Sequence, residues 1–299
     1  MMPKWKQCLL QAYLAGSFPY RTWNNARLAR RNRSPLMILF YHRVADTHPN
    51  GWTISTRQFA REIGYLQRQF EMISMAEIQR RLRTGQSPRP AVHITFDDGY
   101  AENCDFAIPL LVRERIPTTY FVTLGNVVEG KPFPHDLERG APLAPNSVEQ
   151  LREMAEAGIE IGAHTRTHPV LSRITDPAEL QDEVVTAGRE LGELIGRPMR
   201  YFACPFGLRQ HFHDELFSLA RAAGYEAVVS AYGGYNFPGN DDFHLQRIHG
   251  SPLLVELMNW LTLDPVKVLR TQPIAKEFAA RSADSRRRPA YPPLMNVSP

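Results

Sequence analysis

From Pro35 onward, short apolar runs alternate with stretches of helical period, and this alternation narrows the choice of fold more than any other feature of the chain. Residues 36–41, Leu-Met-Ile-Leu-Phe-Tyr, are apolar on both faces of an extended backbone, which suits a strand covered on both sides. Between 55 and 70, Ser55 with Gln58 reads as a capping box, and Phe59, Ile63, Leu66 and Phe70 recur at spacings of four, three and four. Strands are predicted at 72–75, 91–96, 118–123, 159–163, 201–203 and 226–230, with helices at 78–82, 147–157, 177–195 and 214–223. About seven mostly parallel strands in one domain follow from this order. An open doubly wound sheet and a barrel both fit. The first strand lacks a glycine-rich phosphate turn, which favours the barrel.

Charge divides the chain differently. Residues 1–35 carry seven Lys or Arg and no Asp or Glu, and residues 270–299 carry six basic and two acidic residues, whereas the stretch between has 22 basic against 29 acidic. The expected organisation is a basic N-terminal arm over 1–35, a barrel domain over 36–270 and a Pro- and Arg-rich, disordered tail over 271–299. The arm is read as amphipathic or unstructured. Lys4 and Lys6 ahead of Leu9-Leu10 and Ala15-Gly16-Ser17 have the outline of an export signal, but the apolar stretch is short and broken. It is also shorter than the ~20 apolar residues that span a bilayer. A cytoplasmic or membrane-peripheral location is favoured, with peripheral contact between the arm and an anionic membrane. Specific nucleic-acid binding is not expected, because the arms lack aromatics interleaved at a stacking spacing and the body is acidic. Cys8, Cys104 and Cys204 form no CxxC pair and indicate neither a disulfide framework nor a zinc knuckle.

In a barrel enzyme the catalytic groups sit where strands end. Four predicted strands end in polar residues: at His42, at Asp97-Asp98-Gly99, at His164-Thr165-Arg166-Thr167-His168, and at Cys204-Pro205-Phe206-Gly207. Adjacent carboxylates in an extended backbone point to opposite sides, so one can face a cation and the other a substrate if the Gly99 turn lets the chain swing. A solvated Asp-Gly turn is the plainer alternative. His164 and His168 are four apart, yet Pro169 keeps His168 out of the right-handed helical region, so the pair belongs to a strand and tight loop. Two imidazoles and one carboxylate suit Zn²⁺ or a neighbouring first-row metal with coordination positions left open. Surface-loop histidines are the alternative for the pair alone; an Asp-Asp strand end in the same barrel weighs against it.

Thr95-Phe96-Asp97-Asp98-Gly99-Tyr100, His164 to Pro169, and Phe202-Ala203-Cys204-Pro205-Phe206-Gly207, in this order, resemble the polysaccharide deacetylase family, the NodB-homology N-deacetylases of carbohydrate esterase family 4. The resemblance extends over roughly 36–250 and includes Phe40-Tyr41-His42-Arg43-Val44. It implies an α/β fold, a distorted (β/α)7 barrel, and removal of N-acetyl groups from a polysaccharide or oligosaccharide. It also implies a divalent metal, Zn foremost with Co, Mn, Fe or Ni accepted, on Asp98, His164 and His168, with Asp97 as general base and a backbone N–H near Phe206 holding the oxyanion. The general acid is His42 or His249, with His42 favoured because its strand is the more apolar. Where the family commonly has an Arg that orients the base, this chain has Ala203; Arg247 is the natural substitute and Arg166 a weaker one. The Asp-Trp motif of many members has no clear counterpart. An idle carbohydrate-binding barrel, or a deacylase or amidase of a small substrate, are the alternatives. Lesser candidates are His93, read first as a packed core histidine, the pair His211 and His213, read first as solvent-facing, and the loop aromatics Trp52, Tyr232, Tyr235 and Phe237, which suit stacking on sugar rings and ordinary loop packing equally.

Overall fold

The computed structural model describes residues 3–251 and 253–270; the predicted tail, 271–299, lies outside them. Eleven strands follow along the described chain: β1 (Leu36–Tyr41), β2 (Arg43–Val44), β3 (Thr53–Ile54), β4 (Glu71–Met72), β5 (Ala91–Phe96), β6 (Thr118–Val122), β7 (Glu160–Ala163), β8 (Tyr201–Ala203), β9 (Ala227–Val229), β10 (His244–Leu245) and β11 (Arg247–His249). Nine of them form one sheet in the order β10-β9-β8-β7-β6-β5-β1-β11, with β4 added on β5. Every pairing in it is parallel. Parallel neighbours need a crossover, and helices such as Thr56–Gln69, Val148–Glu156 and Leu216–Ala222 supply it. The main strands lie where the apolar runs predict them. β1 and β5 are buried along their whole length, as a strand between a filled barrel and a helical layer must be.

The sheet curls until its ends almost meet. β10 and β11 stand at opposite ends of the strand order, although only Gln246 separates them in the chain. Asn236 closes this seam. Its Nδ2 donates to Gln246 O (2.9 Å) and Leu36 O (3.2 Å), and its Oδ1 accepts from Gln246 N (2.9 Å). Its backbone exchanges two further hydrogen bonds with Leu36, at 2.8 and 3.1 Å. One side-chain amide thus satisfies buried polar groups that no neighbouring strand can reach.

Residues 1–35 are read from sequence as an amphipathic or unstructured arm; here Lys4–Arg30 forms a 27-residue helix, α1, folded against helix Leu254–Leu261. Buried Arg21 fixes it, donating to Asn259 O (2.8 Å), Asn259 Oδ1 (2.7 Å) and Thr262 Oγ1 (3.0 Å). Tyr13 OH adds a bond to Asp264 Oδ1 (2.8 Å).

Local signals behave unevenly. Ser147 and Gln150 form a complete capping box. At Ser55 only half forms: Ser55 Oγ accepts from Gln58 N, while the Gln58 side chain donates to Glu62 Oε1 (3.2 Å). Glu62 is buried, and Tyr41 OH donates to its Oε2 (2.8 Å), anchoring the end of β1. Burial pushes the Glu62 carboxyl up to about 7 against the pull of those two hydrogen bonds. The folded state therefore holds this proton where the unfolded chain, near 4.5, has released it. Stability is expected to fall as pH rises from about 4.5 to 7, by up to about 3 kcal/mol from this group. In denaturant titrations across that range, Glu62→Gln is expected to flatten the slope; an unchanged slope would refute the buried acid as its source.

Candidate active site

β5 delivers Asp97 and Asp98 to the rim. The sequence leaves the change of direction to Gly99, but it starts one residue earlier: Asp98 itself has φ 75° and Gly99 φ 92°. Asp97 N donates to Tyr41 O (2.9 Å) and Asn146 N to Gly99 O (2.7 Å), which hold the turn from both sides. The left-handed residue swings the Asp98 carboxylate toward the histidine loop. Its Oδ1, buried and without a hydrogen-bond partner, lies 3.5 Å from His164 Nε2 and 3.4 Å from His168 Nε2. The three potential ligand atoms lie within 4.8 Å of one another.

Both imidazoles are aimed by backbone contacts. His164 Nδ1 lies 2.8 Å from Ala203 O, which presents Nε2 to the site. His168 sits in a loop with φ 66° at Thr165 and 60° at His168, and His168 N donates to Thr165 Oγ1 (3.0 Å). Glu183 ties this loop from behind, accepting from Arg166 N (2.8 Å), Thr167 N (3.0 Å) and Thr167 Oγ1 (2.5 Å). Glu183 can reach because the helical stretch predicted at 177–195 widens into a π-turn over Asp182–Thr186, where Tyr225 OH donates to the carbonyl of Val184 (2.8 Å). A Cβ at Gly188 would fall 1.8 Å from that hydroxyl, so a larger residue there would have to displace the Tyr225 side chain.

Asp97 is held differently. Arg247, fully buried, donates through Nη1 and Nη2 to its two oxygens (2.6 and 2.8 Å). Nη1 also reaches Thr95 Oγ1 (3.1 Å) and Nε reaches Ser230 O (2.8 Å). Arg166 points away and pairs with Asp182 and Glu190. Burial by itself would raise the Asp97 carboxyl; the charges of Arg247 and His164, with the Arg247 hydrogen bonds, hold it below the ordinary carboxylate value. Burial opposes ionisation of Asp98 as well, but the His164 contact and nearby imidazoles keep it far lower still. His168 is pushed down to about 4 by burial, so it presents a neutral nitrogen.

These groups line a pocket of about 300 Å³ with His42, Trp52, His135 and Phe206 around its mouth. His42 follows β1 where the strand breaks, and Asn103 spans the break: Nδ2 donates to His42 O (2.8 Å) and Oδ1 accepts from Val44 N (2.9 Å). His42 Nδ1 is buried without a partner. His249 is exposed, its ring 6.0 Å from that of His42, and it does not line the pocket. Phe206 has φ 59°, and the loop behind it is fixed by Ala231 N donating to Gly207 O (2.8 Å).

His135 is the ionisable pocket residue that the sequence gives no means of finding: a lone histidine in the segment 124–146, placed 5.1 Å from the Trp52 ring by contacts of long range. Its Nε2 lies 3.2 Å from Tyr100 OH, which donates to buried Asp136 (2.8 Å). Of the lesser candidates, Trp52 lines the pocket and the others do not. His93 is a core histidine between Ile73 O and Thr119 Oγ1, His213 accepts from Glu215 N, and His211 packs edge-on against Phe206 at 5.3 Å between ring centroids. Tyr235 is buried against Trp260, and neither Tyr232 nor Phe237 lines the pocket.

Residues 84–228 match the polysaccharide deacetylase family. A chitooligosaccharide deacetylase of Bradyrhizobium sp. (strain ANU 289) is 31% identical over 160 residues, 53% of this chain and 63% of that protein. A poly-beta-1,6-N-acetyl-D-glucosamine N-deacetylase of Staphylococcus aureus (strain MRSA252) is 24% identical over 234 residues, 75% of this chain and 76% of its own. Among solved structures, the Streptococcus pyogenes deacetylase PplD superposes with a TM-score of 0.65 at 21% identity, covering 77% of this chain and 99% of that one. IcaB from Ammonifex degensii superposes with 0.63 at 24%, covering 77% and 98%. Both share the nearly closed parallel barrel. With its Asp-Asp-Gly turn and its His-x-x-x-His loop converging in one pocket, the chain resembles the polysaccharide deacetylase family over residues 84–228.

Proposed function

We propose that this protein is a metal-dependent hydrolase that removes N-acetyl groups from a polysaccharide or oligosaccharide, cleaving an amide C–N bond that is not a peptide bond. The observation that carries the reading is the Asp98 oxygen, buried and unpartnered between two imidazole nitrogens, with a second carboxylate pinned beside it. Such a donor set fits a small divalent cation: an uncompensated buried carboxylate oxygen is costly, and one carboxylate with two neutral or neutralisable imidazoles suits Zn²⁺, with Co²⁺, Mn²⁺, Fe²⁺ or Ni²⁺ as substitutes. The relatives' names specify N-acetylated glycans of two kinds, which supports that substrate class here.

When bound, such a cation supplies Lewis acidity, making water a stronger acid and an amide carbonyl a better electrophile. Asp97 is assigned to taking the proton of the attacking water. Arg247 keeps it ionised and fixes both oxygens, so it is ready at neutral pH but weakly basic, and its partner water has to be an acidified one. The backbone N–H near Phe206 is assigned to the oxyanion and His42 to protonating the departing amine, with its backbone locked by Asn103. A second partner, an anionic membrane surface met by the basic arm, is supported by α1, whose sequence has five Lys or Arg and no Asp or Glu.

Asp98→Ala is expected to lose bound zinc in metal analysis and acetate release together, whereas Asp97→Asn keeps the metal and loses on the order of 10²–10⁴-fold in rate. Retention of full activity by Asp97→Asn would remove it from the mechanism. Arg247→Met leaves a buried carboxylate unpaired, so a stability loss of about 3–5 kcal/mol is expected, and the acid limb of kcat/KM should move to higher pH as Asp97 becomes harder to ionise. An acid limb left in place would detach Arg247 from the base. His42→Ala should slow amide substrates far more than an aryl acetate, whose leaving group needs no proton; if His249→Ala shows that split instead, the acid is His249.

A further inference from the structure

Helix α1 has two faces of different character. Tyr13, Ser17, Arg21, Asn25 and Leu28, at spacings of four, four, four and three, turn toward the body, where Tyr13, Arg21 and Asn25 bond to Asp264, Asn259 and Thr262. On the opposite side Trp5, Leu9, Tyr20 and Trp23 form a stripe, with the small Ala12 and Gly16 filling the turns between. The four large side chains are 61%, 61%, 51% and 57% exposed. Scattered exposed apolar residues are ordinary, but two pairs of large ones on one stripe of a single helix call for a partner.

Composition and charge indicate which partner. Trp and Tyr are the side chains that settle at the boundary of bilayer and water, with an apolar body and a polar edge. Each tryptophan has a cation beside it: Lys6 Nζ lies 5.4 Å from the Trp5 ring centroid, and the Arg27 guanidinium 5.4 Å from that of Trp23. Residues 1–35 contain no acidic side chain, whereas the body is acidic, so a second acidic surface would be attracted to the arm but would find no use for the aromatic stripe. Among the described residues no helix is long and apolar enough to cross a membrane, and the inner face of α1 is committed to Arg21 and its acceptors. The helix is therefore suited to lying in the plane of a membrane rather than through it.

We propose that the outward face of α1, built on Trp5, Leu9, Tyr20 and Trp23, is a membrane-interface docking face that seats in the headgroup region of an anionic phospholipid bilayer. This deepens, and rests on, the membrane contact proposed for the basic arm. The lysines and arginines bring the helix to the surface, and the aromatic stripe holds it there.

The test uses the full chain with vesicles of phosphatidylcholine containing phosphatidylglycerol, against phosphatidylcholine alone, in about 0.1 M salt, where charges farther apart than ~10 Å are screened. The wild type is expected to sediment with the anionic vesicles and to show a blue shift in tryptophan fluorescence. Trp5→Ser/Trp23→Ser should lose on the order of tenfold or more in partitioning, with an unchanged melting temperature showing that the barrel is intact. Trp5→Tyr/Trp23→Tyr should restore most of it. Failure of the wild type to bind anionic vesicles would overturn the membrane contact and this face together. Binding of the serine variant equal to wild type would overturn the aromatic face alone and leave an electrostatic contact. A dimer in sedimentation velocity that the serine variant abolishes, without vesicle binding by either protein, would give the face to a second copy of the chain and overturn the proposal.

Discussion

Taking a guanidinium out of water costs several kcal/mol unless its N–H groups find acceptors, and Arg247 is completely enclosed. Its position answers that cost with four hydrogen bonds to Ser230, Thr95 and both oxygens of Asp97, while the rings of Phe40 and Phe121 lie 4.8 and 5.4 Å from its centre. These partners come from different parts of the sheet. Arg247 is on β11, one end of the strand order; Ser230 follows β9, next to the other end; Asp97 follows β5, in the middle. The guanidinium therefore braces the curled sheet across its interior while it holds the carboxylate assigned to proton transfer. The brace across the sheet and the orientation of that carboxylate are a single interaction.

The neighbouring carboxylate is handled in the opposite way. Asp98 is left with an oxygen that no protein group satisfies, and the backbone around the site is bent to achieve this: Asp98, Thr165, His168 and Phe206 all have positive φ. Each such conformation costs on the order of 1–3 kcal/mol in a residue other than glycine. The surrounding contacts offset that cost, notably those of Glu183 to the histidine loop and of Ala203 O to His164. Two adjacent side chains of one type thus acquire separate roles: one neutralised by a fixed cation of the chain, the other kept open.

The strands and the chemistry at their ends are legible in the sequence because both depend on local order: an apolar run must be covered, and the residue after it emerges at the rim. Three features resist such reading. The left-handed turn at Asp98 is invisible because aspartate occurs in every kind of turn. His135 enters the pocket only through the packing of the segment 124–146 against Trp52 and Tyr100. Arg247 is legible as the arginine that stands in for the one missing at Ala203, but its complete burial within the polar run Leu245-Gln246-Arg247-Ile248 is not, since it follows from acceptors 17, 150 and 152 residues away. The helix in the basic arm belongs with these, since apolar residues on both of its sides hide the one-faced period that marks a docked helix.

The seam at Asn236 bears on how the protein behaves among its own copies. A barrel that does not close has two free strand edges, and rows of unpaired N–H and C=O groups invite edge-to-edge association with another chain. Here the terminal strands β10 and β11 are two and three residues long, and the Asn236 amide already occupies the backbone groups of Gln246 between them. An incoming strand would find too few groups to make a ladder. The sheet can thus stay open enough to admit a pocket without becoming a template for aggregation.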